Sequence, residues 1–244
     1  MHARIAERIA NVAKLAPDAT VFEIGPGTGM LTRALLSRAG TVIAIEADKE
    51  LFEKLQIDFA NEIAERRLKL VNGDIRKFDI ATFPNGYTLV ANIPYYLTGV
   101  IFRMFLETPN QPSAMTLLVQ KEVAERIART QKESILSLSV KAYGIPKYEF
   151  TVPRGAFRPA PKVDSAVLTI SDISRKNFSS SEKERKFFAL IHAGFAHKRK
   201  FVRKNLADAG LSAGNIPEKA RAEDLSLEQW LAIVTEKEKS RPLE

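Results

Sequence analysis

Five short apolar runs alternating with helix-like stretches constrain this chain more than any other feature. The runs are Val21–Ile24, Thr41–Ile45, Leu68–Val71, Thr88–Ala91 and Met115–Val119. Helical patterning falls at Met30–Ala39, Lys49–Ala64, Val100–Leu106 and Lys121–Arg129. Short strands interleaved with helices build a mainly parallel, doubly wound sheet. Two later strand-like runs, Tyr148–Val152 and Ala166–Ile170, are joined by a proline-bearing connection of about a dozen residues. That length suits a closing antiparallel pair better than another crossover, for seven strands in all. A polar, serine-rich linker is expected at Ser171–Ser180. Ser181 then opens a helix, with Glu184 completing a capping box. Phe187, Phe188, Ile191 and Phe195 form an apolar helical stripe, and further helices are expected at Phe201–Leu206 and Leu227–Val234, the last anchored by Trp230. The expected organisation is therefore an α/β domain over 1–174 and a small all-helical domain over 175–244.

Composition closes several routes. The 244 residues are 45% apolar and 27% charged, enough for a sizeable core. Cysteine is absent, which removes disulfides, zinc–thiolate sites, iron–sulfur clusters and cysteine nucleophiles. With only His2, His192 and His197, no metal centre is expected. No apolar run approaches the roughly 18 residues a membrane helix needs, and the N-terminal stretch lacks a signal-like apolar region. A cytosolic protein is expected, and nothing demands more than a monomer. The formal net charge is +8. Residues 175–204 carry ten basic side chains against only Glu182 and Glu184, so the excess is local. Such a patch fits a polyanionic partner, with Lys198, Arg199, Lys200, Arg203 and Lys204 as candidate phosphate contacts.

The ends of the first four strands carry the chemistry. The first ends in Glu23-Ile24-Gly25-Pro26-Gly27-Thr28-Gly29, where glycines permit a tight turn and close ligand approach. Its spacing differs from the dinucleotide fingerprint, whose last glycine lies one residue later. The second ends in Glu46, suited to accept both ribose hydroxyls; the third in Asn72-Gly73-Asp74-Ile75, with Asp74 suited to accept from an adenine amine. The first loop has no phosphate-gripping Lys or Arg, which favours S-adenosylmethionine over a nucleoside triphosphate.

The fourth strand ends in Asn92-Ile93-Pro94-Tyr95. An aromatic amine is a poor nucleophile because its lone pair is delocalised into the ring. A side-chain amide oxygen and a nearby backbone carbonyl accept its two hydrogens and steer the nitrogen towards tetrahedral geometry. Pro94 offers no competing N–H, and Tyr95, rather than Tyr96, is expected to stack on the base. Positioning and electrostatics then supply most of the catalysis without a strong general base.

With these residues in order, the sequence resembles the ribosomal RNA adenine N6,N6-dimethyltransferases of the KsgA type over nearly its whole length. EIGPGTGMLT is similar to the family's glycine loop, VIAIEAD to its ribose segment, NGDI to its adenine segment and ANIPYYLTG to its catalytic turn. LLVQKEVAERI, FRPAPKVDSAVLTI, AHKRKFVRKNL and RAEDLSLEQW resemble later segments. The resemblance implies a Rossmann-like class I methyltransferase fold. It implies S-adenosylmethionine contacts from Glu23, Gly25, Gly27, Glu46, Asp74, Ile75 and Asn92. It further implies that Asn92, Pro94 and Tyr95 hold the target adenine, with Phe157 stacking on its other face. The implied partner is 16S rRNA within the small ribosomal subunit or its precursor.

The family pattern usually opens on a basic segment containing Gln-Asn-Phe-Leu. This sequence starts at MHARIAERIANVA, about where the next helix of the pattern begins, and is expected to be a trimmed or naturally short form. Three alternatives stay open. One is the Erm-type large-subunit rRNA methyltransferases, which share the Asn-Ile-Pro-Tyr turn but usually carry Asn where Asp164 stands. The others are a catalytically retired RNA-binding or assembly factor and, more distantly, a nicotinamide oxidoreductase.

Overall fold

The computed structural model describes residues 2–236. In chain order the elements are α1 (Ala3–Val12), β1 (Thr20–Ile24), α2 (Met30–Leu36), β2 (Thr41–Glu46), α3 (Lys49–Asp58), α4 (Ala60–Ala64), β3 (Leu68–Asn72), β4 (Thr88–Asn92), α5 (Thr98–Leu106), β5 (Ala114–Gln120), α6 (Lys121–Ala128), α7 (Ile135–Tyr143), β6 (Ile145–Val152), β7 (Ser165–Ser171), α8 (Ser181–Gly194), α9 (Val202–Asp208) and α10 (Leu227–Glu236). The seven strands form one sheet in the order β3-β2-β1-β4-β5-β7-β6. The first five run parallel; β7 is antiparallel to both β5 and β6. The order reverses between β1 and β4, the kind of switch point where ligands bind open α/β sheets.

Both faces of the sheet are covered, so the central strands β1, β4 and β5 are buried along most of their length rather than on alternate residues. Against one face, Phe22 meets Phe83 at 4.3 Å and Phe105 at 5.9 Å between ring centroids. A second cluster gathers Ile9, Leu31, Leu35, Leu55 and Phe59, all buried.

One expected helix, Lys49–Ala64, is broken in two at Phe59, whose φ of −122° and ψ of 26° leave the helical region. The break lets the Phe59 ring enter the core beneath Gly29; a Cβ on that glycine would sit 2.5 Å from the ring. Helix α7 is absent from the sequence reading. Its serines alternate with apolar residues and imitate a strand, but Ser134 and Ser137 close a reciprocal cap at its start.

Grouping by contacts gives two units. Among the described residues, the first holds the chain through Ala124 together with Ile145–Ile173; the second holds Glu125–Gly144 and the residues from Ser174 to Glu236. Helix α7 thus packs with helices that follow it in sequence after two strands.

Within the second unit, two local expectations need correction. The segment Ser171–Ser180 is not a free linker. Phe178 is buried against Tyr143 and Phe187, and the Asn177 side chain donates to the Ala142 carbonyl at 2.8 Å. Nor does Glu184 form a capping box with Ser181. Ser180 is the cap, accepting from the Lys183 N–H, while Glu184 is buried between the Tyr143 hydroxyl and Arg175. A carboxylate taken out of water needs such partners, and here a cation and a phenol supply them. Trp230 is fully buried and stacks on Phe195, with ring centroids 6.0 Å apart.

Candidate active site

The parallel strands β1 to β4 end at one edge, where Glu46 is in register with Asn72 and Ile24 with both Ile45 and Ala91. The loop after β1 turns through glycines with φ of 66°, 59° and 76° at Gly25, Gly27 and Gly29. At Gly29 no side chain fits because Phe59 lies directly below. At Gly25 an added Cβ would meet nothing within 4 Å, so the upper surface of this loop is open to a ligand.

The buried Glu46 carboxylate ties the first two strand ends together. It accepts the Gly27 N–H at 2.9 Å and the Asp48 N–H at 3.0 Å. Its backbone carbonyl accepts from the Gly73 N–H and the Asn72 amide, both at 2.9 Å, linking the third. Glu23 lies deeper than its candidate role suggests. It is 1% exposed and accepts from the Thr32 hydroxyl at 2.7 Å. Burial pushes its pKa up to about 8; the Thr32 hydrogen bond opposes the rise and the Glu46 charge adds to it.

Asp74 stands at the start of a short turn and accepts the Arg76 N–H at 2.9 Å. The Arg76 guanidinium folds back on it, with Nε at 3.0 Å and Nη2 at 2.5 Å. These hydrogen bonds from Arg76 bring the Asp74 carboxyl down to about 2. Ile75 beside it is buried. Sequence reasoning passed over Arg76, although an arginine two residues after a turn aspartate is placed to return to it.

Beyond β4 lies a pocket of about 260 Å³ lined by Asn92, Ile93, Pro94, Tyr95, Phe157, Pro159, Pro161 and Ser165. It brings together the four candidate catalytic residues, Asn92, Pro94, Tyr95 and Phe157. Among the described residues no side-chain hydrogen bond occupies the half-buried Asn92 amide, while Tyr96 is 79% exposed and does not line the pocket. Neither a carboxylate nor an imidazole lines the pocket. Phe157 follows a short turn, Arg154–Ala156, and packs its ring partly against the core. Ser165, which the sequence reading gave no role, is buried and exchanges a 2.8 Å hydrogen bond with the Tyr95 hydroxyl.

In the helical unit, Lys198, Arg199, Lys200 and Lys204 are exposed. Lys200 also pairs with Asp208 at 3.3 Å. Arg203 differs: its Nε donates to the Ile216 carbonyl at 2.7 Å and its Nη2 to Gly214 at 3.3 Å, so it braces the following loop. No helix among the described residues is long and apolar enough to cross a membrane.

A family model described as ribosomal RNA adenine dimethylase matches residues 2–239. Ribosomal RNA small subunit methyltransferase A of Dehalococcoides mccartyi is 39% identical, over 95% of this chain and 83% of that protein. The protein of the same name from Fusobacterium nucleatum is 34% identical, over 94% and 90%. Among solved structures, the 23S rRNA methyltransferase ErmE superposes with a TM-score of 0.78 at 26% identity, covering 96% of this chain and 97% of that one. A dimethyladenosine transferase from Plasmodium falciparum gives 0.82 at 24% identity, over 98% and 96%, a likeness of fold.

Proposed function

Because the chain belongs to the ribosomal RNA adenine dimethylase family, we propose that it methylates adenosine amino groups with S-adenosylmethionine, placing two methyl groups on each of two adjacent adenosines near the 3′ end of 16S rRNA. The observation that carries this reading is the pocket after β4. An unengaged amide stands beside two aromatic rings, with no strong base in the lining. Such a site suits an amine that must be oriented rather than deprotonated.

The strand ends fit the methyl donor. The open surface at Gly25 and Gly27 leaves room for it against the backbone, and Glu46 offers carboxylate oxygens at the end of β2. Asp74 would take the adenine amine, exchanging part of its Arg76 contact. When bound, S-adenosylmethionine supplies an electrophilic methyl group on a positively charged sulfur. The Asn92 side-chain oxygen and a carbonyl of the Ile93–Pro94 turn accept the target amine's hydrogens, freeing its lone pair. Tyr95 and Phe157 hold the two faces of the base, which must leave its RNA stack to enter. Glu23 braces the loop from below through Thr32. The sheet-bearing unit is the methyltransferase domain in this reading, and the helical unit engages RNA phosphates through its exposed lysines and Arg199.

The test uses labelled S-adenosylmethionine with unmethylated small subunits, large subunits and naked rRNA, followed by nucleoside analysis. Dimethyladenosine from small subunits is the expected result. Product from large-subunit RNA alone would favour the activity named for ErmE, and no product from any substrate would favour a retired factor.

A further inference from the structure

Ser165, the first residue of β7, and Asp164 just before it each bond to one wall of the pocket after β4. The Ser165 hydroxyl meets the Tyr95 hydroxyl at 2.8 Å, linking the end of β4 to β7 past the intervening β5. Ser165 is 1% exposed and Tyr95 half-buried, so the bond is anchored in the core at its Ser165 end and reaches the pocket at the other. Asp164 works on the opposite wall. Its carboxylate accepts the Arg154 N–H at 2.9 Å, closing the loop that carries Phe157, Pro159 and Pro161. Its carbonyl accepts the Lys121 N–H at 3.0 Å, fixing the start of β7 to the end of β5.

We infer that Asp164 and Ser165 are positioning residues that set the separation and tilt of the two aromatic walls, and that the second methyl transfer depends on them more than the first. This rests on the reading of the pocket as the adenine site. In the first round the amine has two hydrogens, and two acceptors can orient it. Each transfer forms a nitrogen–carbon bond, breaks the donor's sulfur–methyl bond and releases one amine proton to solvent. In the second round the amine keeps a single hydrogen. One acceptor contact is gone, and the pose of the bulkier base falls to the rings. A ring freed from its hydroxyl anchor then costs the second step more, since misplacement of about 1 Å is enough to cost roughly a hundredfold.

The experiment follows monomethyl- and dimethyladenosine over time on small subunits at saturating S-adenosylmethionine. Ser165→Ala is expected to slow the first transfer about 3-fold and the second about 10-fold or more, so that monomethyladenosine accumulates. Ser165→Thr, which keeps the hydroxyl, should restore the wild-type product ratio. Tyr95→Phe removes the same bond without touching β7. The double variant Tyr95→Phe/Ser165→Ala should be no worse than the more affected single variant. Asp164→Ala should also accumulate monomethyl product, and Asp164→Asn, which keeps an acceptor oxygen, should do so less. A Ser165→Ala enzyme with the wild-type ratio, or one whose two steps fall equally, overturns the inference. A wild-type protein that makes no methyladenosine overturns the reading beneath it instead.

Discussion

The two halves of the sheet's carboxyl edge are built differently. On the β1–β3 side every acidic side chain already has partners from the protein: Glu23 from Thr32, Glu46 from two backbone N–H groups, Asp74 from Arg76. On the β4–β7 side no side-chain hydrogen bond engages the Asn92 amide among the described residues, the Tyr95 hydroxyl is bonded to Ser165, and Asp164 closes the loop that carries Phe157. The first half is therefore preorganised through polar bonds that a ligand must exchange. The second sets one unengaged amide among two rings, three prolines and a bonded pair of hydroxyls, which under the proposed function makes orientation matter more than affinity. Damage to the first should appear as weaker binding of S-adenosylmethionine, and damage to the second as slower or incomplete methyl transfer.

The largest separation should come from Asn92→Ala. Its single-turnover rate on small subunits should fall about a thousandfold, comparable to the loss of an oxyanion-hole donor elsewhere. Glu46→Ala should raise the Kd for S-adenosylmethionine about 10- to 100-fold by calorimetry, while the saturated single-turnover rate stays within a few-fold of wild type. A rate loss as large as the affinity loss would merge the two halves.

Glu23 gives the next effect, read as stability. Its folded pKa of about 8 lies above its ordinary value of 4.5. Its stabilising contribution is thus complete below that ordinary value and is lost as pH rises towards 8. Denaturation curves should show wild type weakening between about pH 5 and 8, by roughly 3–4 kcal/mol. Glu23→Gln should flatten that slope, and an unchanged slope would place the titration elsewhere.

The smallest effect tests the helical unit. Replacing Lys198, Arg199, Lys200 and Lys204 with Gln should lower the log–log salt slope of RNA binding by about 2–3. Arg203→Gln should mainly destabilise the unit, by about 1 kcal/mol, because its guanidinium serves carbonyls. An equal loss of salt slope from Arg203→Gln alone would count against that division.

Much of this was legible in the chain because local patterns carried it. β-Branched runs mark the strands, and the residues that end them fall at one edge once the strands are parallel. What stayed hidden depended on contacts distant in sequence. The Tyr95–Ser165 bond joins positions 70 apart, and nothing near either residue announces it. The break at Phe59 follows from a ring seated under Gly29, which helical periodicity cannot report. Arg203 sits in a run of basic residues and looks like its neighbours until its partners around Ile216 are known. The α7 helix carries serines in alternation with apolar residues, so no apolar stripe at helical spacing marks it, and its cap is a serine pair evident only in the structure.

The most direct test of the two-half account is the affinity of Asn92→Ala for S-adenosylmethionine, measured by calorimetry on the preparation whose turnover is lost. The account predicts a Kd within about tenfold of wild type beside the roughly thousandfold loss of rate. A Kd raised as far as the rate falls would mean that Asn92 serves mainly to hold the methyl donor, and the proposed steering of the amine would be wrong.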